Sequence, residues 1–259
     1  MQLRKAARII LVGAPGVGKG TQTERMLKRF PQLSSISSGD LLRIQAESLM
    51  KTGALVPDTT ILRLILSELT NRGWLSSPDS AQRLTLASMS ASLDSFTAPP
   101  SHDDGFITMP PREDARYEYS NDPDASFILD GFPRTAAQAT QLDKLIPINL
   151  VVDIKTPTSI ILDRICNRWV HPRSGRVYNT TFNAPKVSGR DDVTGEQLVQ
   201  RDDDRPEVWE ARLKKFDETS LPLLEHYERK GVLWRVGGNS SDEISPKLFE
   251  EFGRRFGNT

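Results

Sequence analysis

The segment Gly13-Ala14-Pro15-Gly16-Val17-Gly18-Lys19-Gly20-Thr21 follows directly on the apolar run Ile9-Ile10-Leu11-Val12. Buried strand, glycine-rich turn and then helix is the order that a phosphate-binding loop requires. Glycines let successive backbone N–H groups curl around a polyphosphate, and the helix that follows aims its positive end at the same anion. Lys19 is placed to reach the β- and γ-phosphates, so the chain is expected to bind a nucleoside triphosphate. An ordinary glycine-rich β–α turn would not combine this spacing with the lysine and both flanking elements. The hydroxyl that usually follows the lysine and takes Mg2+ is displaced by one position: Gly20 stands there and Thr21 comes next. Mg2+ is therefore expected between phosphates and waters, with only indirect help from protein groups.

Further residues suit phosphoryl chemistry. Asp130 closes the run Phe127-Ile128-Leu129 and precedes Gly131-Phe132-Pro133-Arg134-Thr135. A carboxylate at the end of a buried strand beside a phosphate loop orients Mg2+ or its waters, although many strand-end aspartates are only caps. Arg134 follows a proline-stiffened turn, so its guanidinium is held ready to fork onto phosphate oxygens. In Ser37-Ser38-Gly39-Asp40-Leu41-Leu42-Arg43, small residues open a helix and an arginine follows one turn on. That pattern suits a phosphate monoester; taken alone it is equally a capped helix with a surface arginine. Arg43, Arg134, Arg164, Arg168, Arg201 and Arg212 fall on helix ends or at the borders of Trp169–Arg205. One phosphate loop needs far fewer cations. So many suggest two polyanions brought together, whose repulsion must be neutralised in the transition state. An acceptor that is itself an anionic phosphate needs no general base, and His102, His171 and His226 lie outside these motifs.

Positioning such groups requires a parallel sheet. Apolar runs at Ile9–Val12, Ser35–Ser37, Phe127–Leu129, Leu150–Ile154 and Val232–Val236 read as buried strands separated by helical patterns. Helices are expected over Gly20–Phe30, after Asp58, after Pro157, and from Pro206 to Gly231. Two segments break the alternation. Ser76–Ala125 is rich in Ser, Pro, Asp and Ala and reads as a largely disordered surface insertion, with one short helix near Ala81–Ala91. Trp169–Arg205, rich in Gly, Pro, Tyr, Asn and Asp, reads as a compact β-rich excursion between helices.

The composition narrows the partners. Lys plus Arg and Asp plus Glu balance at 34 each, with no basic stripe, which argues against nucleic-acid binding. No apolar stretch is long enough to span a bilayer. The single cysteine, Cys166, excludes an internal disulfide and fits a reducing compartment. Met1–Arg8 is basic and the first acid is Glu24, which fits an uncleaved import signal and a solvated arm about equally.

In these motifs the chain resembles the adenylate kinase family of nucleoside monophosphate kinases, in its long-lid form. The matching segments are the Gly13–Thr21 loop, Ser38-Gly39-Asp40, Asp130–Arg134, Asp163-Arg164-Ile165 with Arg168, Val170–Tyr178, and Asp191–Glu196. The resemblance implies an α/β P-loop NTPase core with a five-stranded parallel sheet flanked by helices. The core would comprise residues 1–37, 126–168 and 206–259, with an NMP-binding subdomain at 38–69, the insertion at 70–125 and a LID at 169–205. Between Arg43 and Gly53 the chain is shorter than that family, which puts acceptor binding in question more than donor binding.

The implied activity is reversible, Mg2+-dependent transfer from GTP or ATP to AMP, by a monomer of the mitochondrial matrix or, alternatively, the cytoplasm. Gly13, Ala14, Pro15, Gly16, Val17, Gly18, Lys19, Gly20 and Thr21 would hold the donor phosphates. Arg164 would flank the donor base, Arg168 would meet the terminal phosphate, and Val177 and Tyr178 would line the donor side. Ser38, Arg43, Val56, Gly131, Arg134 and Gln138 would hold AMP, Arg201 and Arg212 would clamp phosphates, and Asp130 would order the Mg2+ waters. Lid positions that carry four cysteines and zinc in some relatives look like His171, Ser174, Asp191 and Thr194 here. Hydroxyls are poor zinc ligands, so a hydrogen-bond network without structural zinc is expected. A regulatory GTPase would carry Asn-Lys-x-Asp, and no asparagine here precedes a lysine. A hydroxyl kinase leaves Ser37–Arg43 and the arginines unexplained. A non-catalytic nucleotide-binding protein stays open as the alternative.

Overall fold

The computed structural model describes residues 2–39, 41, 58–76, 117–200 and 204–257. Five of its strands form one parallel sheet: β1 (Arg8–Val12), β2 (Leu33–Ser37), β5 (Ser126–Asp130), β6 (Leu150–Lys155) and β9 (Leu233–Gly237). The order across the sheet is β2-β5-β1-β6-β9, with the phosphate-loop strand in the middle. These are the strands expected from the apolar runs, each displaced by a residue or two at its ends. A central parallel strand is buried on both faces, and β1 shows the consequence. Ile9 and Leu11 enter one hydrophobic cluster, while Ile10 and Val12 enter the other.

Helices supply the outer wall of each cluster. On one face lie α1 (Lys19–Arg29), α4 (Thr158–Cys166) and α6 (Ser241–Phe256), burying Met26, Ile161, Ile165, Leu248 and Phe252. On the other lie α2 (Asp58–Asn71), α3 (Ala136–Leu145) and the main length of α5 (Pro206–Arg229), burying Leu62, Ile65, Leu69, Leu142 and Tyr227. The start of α5 crosses over, since Trp209 belongs to the first cluster. Although α2 lies mostly within the expected 38–69 subdomain, its apolar face packs against the sheet. The expected lid is β-rich: β7 (Arg168–Val170) pairs antiparallel with β8 (Val177–Asn179), and bridges Val170–Val199 and Arg190–Gln197 tie its loops together.

Disorder expected across residues 70–125 is corrected at both ends. β3 (Leu75–Ser76) pairs antiparallel with β4 (Glu118–Tyr119), and Ser120 N–H donates to the Trp74 carbonyl at 2.9 Å. Trp74 stacks on Phe127 with centroids 6.1 Å apart, and Arg72 lies over the outer side of its ring. A short 3-10 turn, Pro123–Ala125, then leads into β5. The polar composition concealed this because the closing contacts join a few aromatic residues across a long sequence separation. The helix expected near Ala81–Ala91 and the shortened stretch after Arg43 lie outside the described residues. Replacing Trp74 by alanine is expected to cost about 2–3 kcal/mol, read as a lower thermal midpoint, because the stack on Phe127 and the β3–β4 closure both depend on it.

Candidate active site at the carboxyl edge of the sheet

The phosphate loop leaves β1 at the carboxyl edge, where an open parallel sheet binds its ligands. Gly16 has φ +85, and a Cβ there would lie 2.5 Å from Ile165 Cδ1, so α4 packs directly under a bare loop. Among the described residues the N–H groups of Gly16, Gly18 and Lys19 donate to no protein acceptor, as an anion cradle requires. Lys19 Nζ folds back to donate to the carbonyls of Gly13 at 2.6 Å and Ala14 at 3.1 Å. Burial pushes its ammonium down from 10.5 to about 8; Arg134, Arg212 and Arg168 add to that push, and Asp130 opposes it. Groups distant in sequence therefore act on one ammonium.

The residues expected on the acceptor side meet because of strand register. Ser37 pairs with Asp130 across β2 and β5, so Ser38 and Gly131 leave the sheet side by side. Gly131 has φ +84, and a Cβ there would lie 2.7 Å from Ser38 Oγ. Arg134 Nε donates to the Gly131 carbonyl at 2.8 Å, and the Arg134 N–H donates to Gln138 Oε1 at 2.7 Å. Thr135 caps α3 by accepting from Gln138 N–H, and Gln138 Nε2 donates to Asp58 Oδ1 at 2.8 Å. Ser38, Gly131, Arg134 and Gln138 are thus gathered in one place. Asp58 joins them as a residue that sequence reasoning took only for a helix cap. Arg43 and Val56 lie outside the described residues, as does Arg201.

Of the residues expected on the donor side, Arg164 spans two loops, donating to the carbonyls of Val17 at 3.3 Å and Asn239 at 2.7 Å. Arg168 forks onto Asp204, with Nε to Oδ2 at 2.8 Å and Nη2 to Oδ1. Asp204 is buried and also escaped the sequence reading; its signal was an acid immediately before the first turn of α5. Arg212 stands further along that helix. Val177 is exposed on the lid, whereas Tyr178 is buried, its hydroxyl donating to Asp191 at 2.9 Å and accepting from Asp192 N–H at 2.9 Å. Its phenol therefore serves the lid interior, unlike the donor-side role expected for it.

The lid interior is a polar network. His171 Nδ1 lies 2.7 Å from Ser174 Oγ and its Nε2 lies 2.6 Å from Glu196. Thr194 Oγ1 donates to Asp191 at 2.9 Å and stands 3.4 Å from His171 Nε2. Arg176 forks onto Asp191 at 2.8 and 2.6 Å, and this bonding, followed by that of Thr194 and Tyr178, holds the carboxyl far below the usual carboxylate range despite burial.

Comparison with known proteins shows which family the chain falls in. A model described as "Adenylate kinase, active site lid" matches residues 168–203, and one described as "AAA domain" matches residues 12–76. A "GTP:AMP phosphotransferase, mitochondrial" of Saccharomyces cerevisiae is 42% identical over 270 aligned positions, covering 98% of this chain and 96% of that protein. One of the same description from Drosophila melanogaster is 34% identical, covering 94% of each. The chain belongs to the adenylate kinase family. As a member of that family it is a nucleoside monophosphate kinase built on a P-loop core.

For this kinase the depressed ammonium of Lys19 has a cost. A lysine whose folded pKa is about 8 against 10.5 holds fewer protons folded than unfolded between those values, so stability rises with pH across that window, and at neutral pH, where the ammonium stays mostly charged, its burial costs the fold stability. Lys19→Met is therefore expected to raise the ligand-free melting temperature while removing the stabilisation given by added triphosphate. Titrating triphosphate affinity from about pH 7 to 9 should show it falling in the wild type only. In the lid, Asp191 has the opposite sign. Its stabilising charge is fully present above about pH 4 and is lost on acidification. Asp191→Asn should lower the thermal midpoint at neutral pH, and the gap from the wild type should narrow in acid.

Proposed function

We propose that this kinase transfers the terminal phosphoryl group of GTP, and of ATP, to AMP, reversibly and with Mg2+ accompanying the triphosphate. The observation that carries the reading is the field at Lys19, where Arg134, Arg168 and Arg212 act together with one carboxylate, Asp130, beside a loop of undonated amides. Two phosphorylated reactants need that excess of positive charge; a triphosphate and a neutral hydroxyl do not. The relatives, mitochondrial GTP:AMP phosphotransferases by name, support the donor, the acceptor and a mitochondrial site of action.

In this reading the amides of residues 13–21 and Lys19 hold the donor phosphates, and Arg164 lies against the donor base. Ser38, Gly131, Arg134 and Gln138 hold AMP together with Arg43 and Val56. An oxygen of the AMP phosphate attacks the γ-phosphorus in line, the bond to the β–γ bridging oxygen breaks, and the nucleoside diphosphate leaves with that electron pair. Arg134, Arg168, Arg201 and Arg212 stabilise the charge spread over the transferring group, and the attacking oxygen, already anionic, needs no base. The cation would arrive with the triphosphate, and Asp130, whose charge acts on Lys19, would order its waters. Mg2+ so bound would withdraw charge from the phosphate oxygens. In this reading the 169–205 lid closes over the reactants and excludes water, which would otherwise compete with AMP as acceptor.

Formation of ADP and GDP from GTP plus AMP, followed in a coupled assay, tests the reaction. Triphosphate hydrolysis that ignores AMP would overturn it. Initial rates with GTP and ATP at fixed AMP test the donor: GTP is expected to serve at least as well, and a strong preference for ATP would refute that part.

A further inference from the structure

We infer that Trp209 is a positioning residue for the donor phosphates, holding the Pro15–Gly16 peptide in one of its two available orientations and linking the phosphate loop to the helix that leaves the lid. The inference rests on the donor-site reading of that loop. Trp209 lies in the first turn of α5 and is 2% exposed. Its indole Nε1 donates to the Pro15 carbonyl at 3.0 Å. A buried indole N–H needs an acceptor, and this one finds it inside the glycine loop, 194 residues away in sequence.

Residues 14–17 form a β-turn, closed by Val17 N–H donating to the Ala14 carbonyl at 3.2 Å. With Pro15 second and Gly16 third at φ +85, it is a type II turn. Proline at the second position suits type I as well as type II, and glycine at the third accepts either sign of φ. The two types differ by a flip of the peptide between those residues. Local sequence therefore leaves the Pro15–Gly16 plane undecided.

Its orientation matters for binding. In a trans peptide the C=O and the N–H point in opposite directions. Anchoring the Pro15 oxygen on the buried indole turns the Gly16 N–H away from the core, where it meets no protein acceptor among the described residues. Pro15 has no N–H, so its carbonyl is the handle by which this corner of the loop can be held. The flipped turn would bury the amide and present a carbonyl oxygen, which repels an anion.

The same end of α5 reaches the phosphate site twice more. Asp204, just before the helix, forks onto Arg168, and Arg212, one turn past Trp209, acts on Lys19. Residues 168–203 feed directly into this helix start.

The experiment replaces Trp209 in the full-length protein with 3-benzothienylalanine, which keeps the shape of the ring and exchanges the N–H for sulfur, alongside Trp209→Phe. GTP affinity is measured by calorimetry, and the KM values for GTP and AMP by coupled assay. Loss of one buried hydrogen bond that orients an amide is expected to weaken GTP about tenfold in both variants. The KM for AMP should stay within about twofold of the wild type, since uniform damage would move both substrates. The benzothienyl protein decides the matter even if Trp209→Phe fails to fold. Unchanged GTP affinity in it, or equal weakening of both substrates, would overturn the inference. A wild-type protein that binds no GTP would instead remove the donor-site reading on which it stands.

Discussion

A partly desolvated ammonium organises this molecule. Lys19 gives its hydrogen bonds to two carbonyls of its own loop and lies in the field of three arginines against one aspartate. No arrangement of that kind stabilises a fold by itself, because like charges are crowded and their hydration is curtailed. It persists because both faces of the central strand are covered by apolar clusters that outweigh it. An arriving polyanion relieves the crowding. The strain in the ligand-free protein and the affinity for phosphate are two views of the same electrostatics.

Those cations come from different parts of the chain, so their convergence depends on how the elements are joined. Strand register sets Ser38 beside Gly131, and Arg134 and Gln138 follow at the start of α3. On the opposite side the start of α5 collects three links to the site, through Asp204, Trp209 and Arg212. This helix packs its first turn into one cluster and its later turns into the other. It is therefore a lever held at both faces of the sheet, and the lid is attached at its end.

The lid adds its own logic. Asp191 accepts from Arg176, Tyr178 and Thr194, while His171 is held between Ser174 and Glu196. A small β-unit with little apolar interior needs some other source of rigidity. Here charge-assisted bonds to one buried carboxylate provide it, in an arrangement where each polar atom has a defined partner.

Sequence by itself determined the phosphate loop, the five strands, the starts of α1, α2, α4 and α5 and the concentration of arginines, because each rests on local spacing: glycines before a lysine, apolar runs of strand length, prolines in first turns. It also determined the residue types of the lid network, through the resemblance of His171, Ser174, Asp191 and Thr194 to a ligand set. Tertiary structure alone decided which side chains face the anion. Asp58 and Asp204 looked like ordinary acids at helix starts until packing set them on Gln138 and Arg168. Nothing local marked Trp209, whose N–H meets the Pro15 carbonyl, and Tyr178 turned inward. The tail of the expected disordered segment became β4 because Tyr117 and Tyr119 pack against the core that Trp74 joins. Such contacts join positions tens to hundreds of residues apart. No local period encodes them, and they exist only once the sheet has brought the strand ends to one edge.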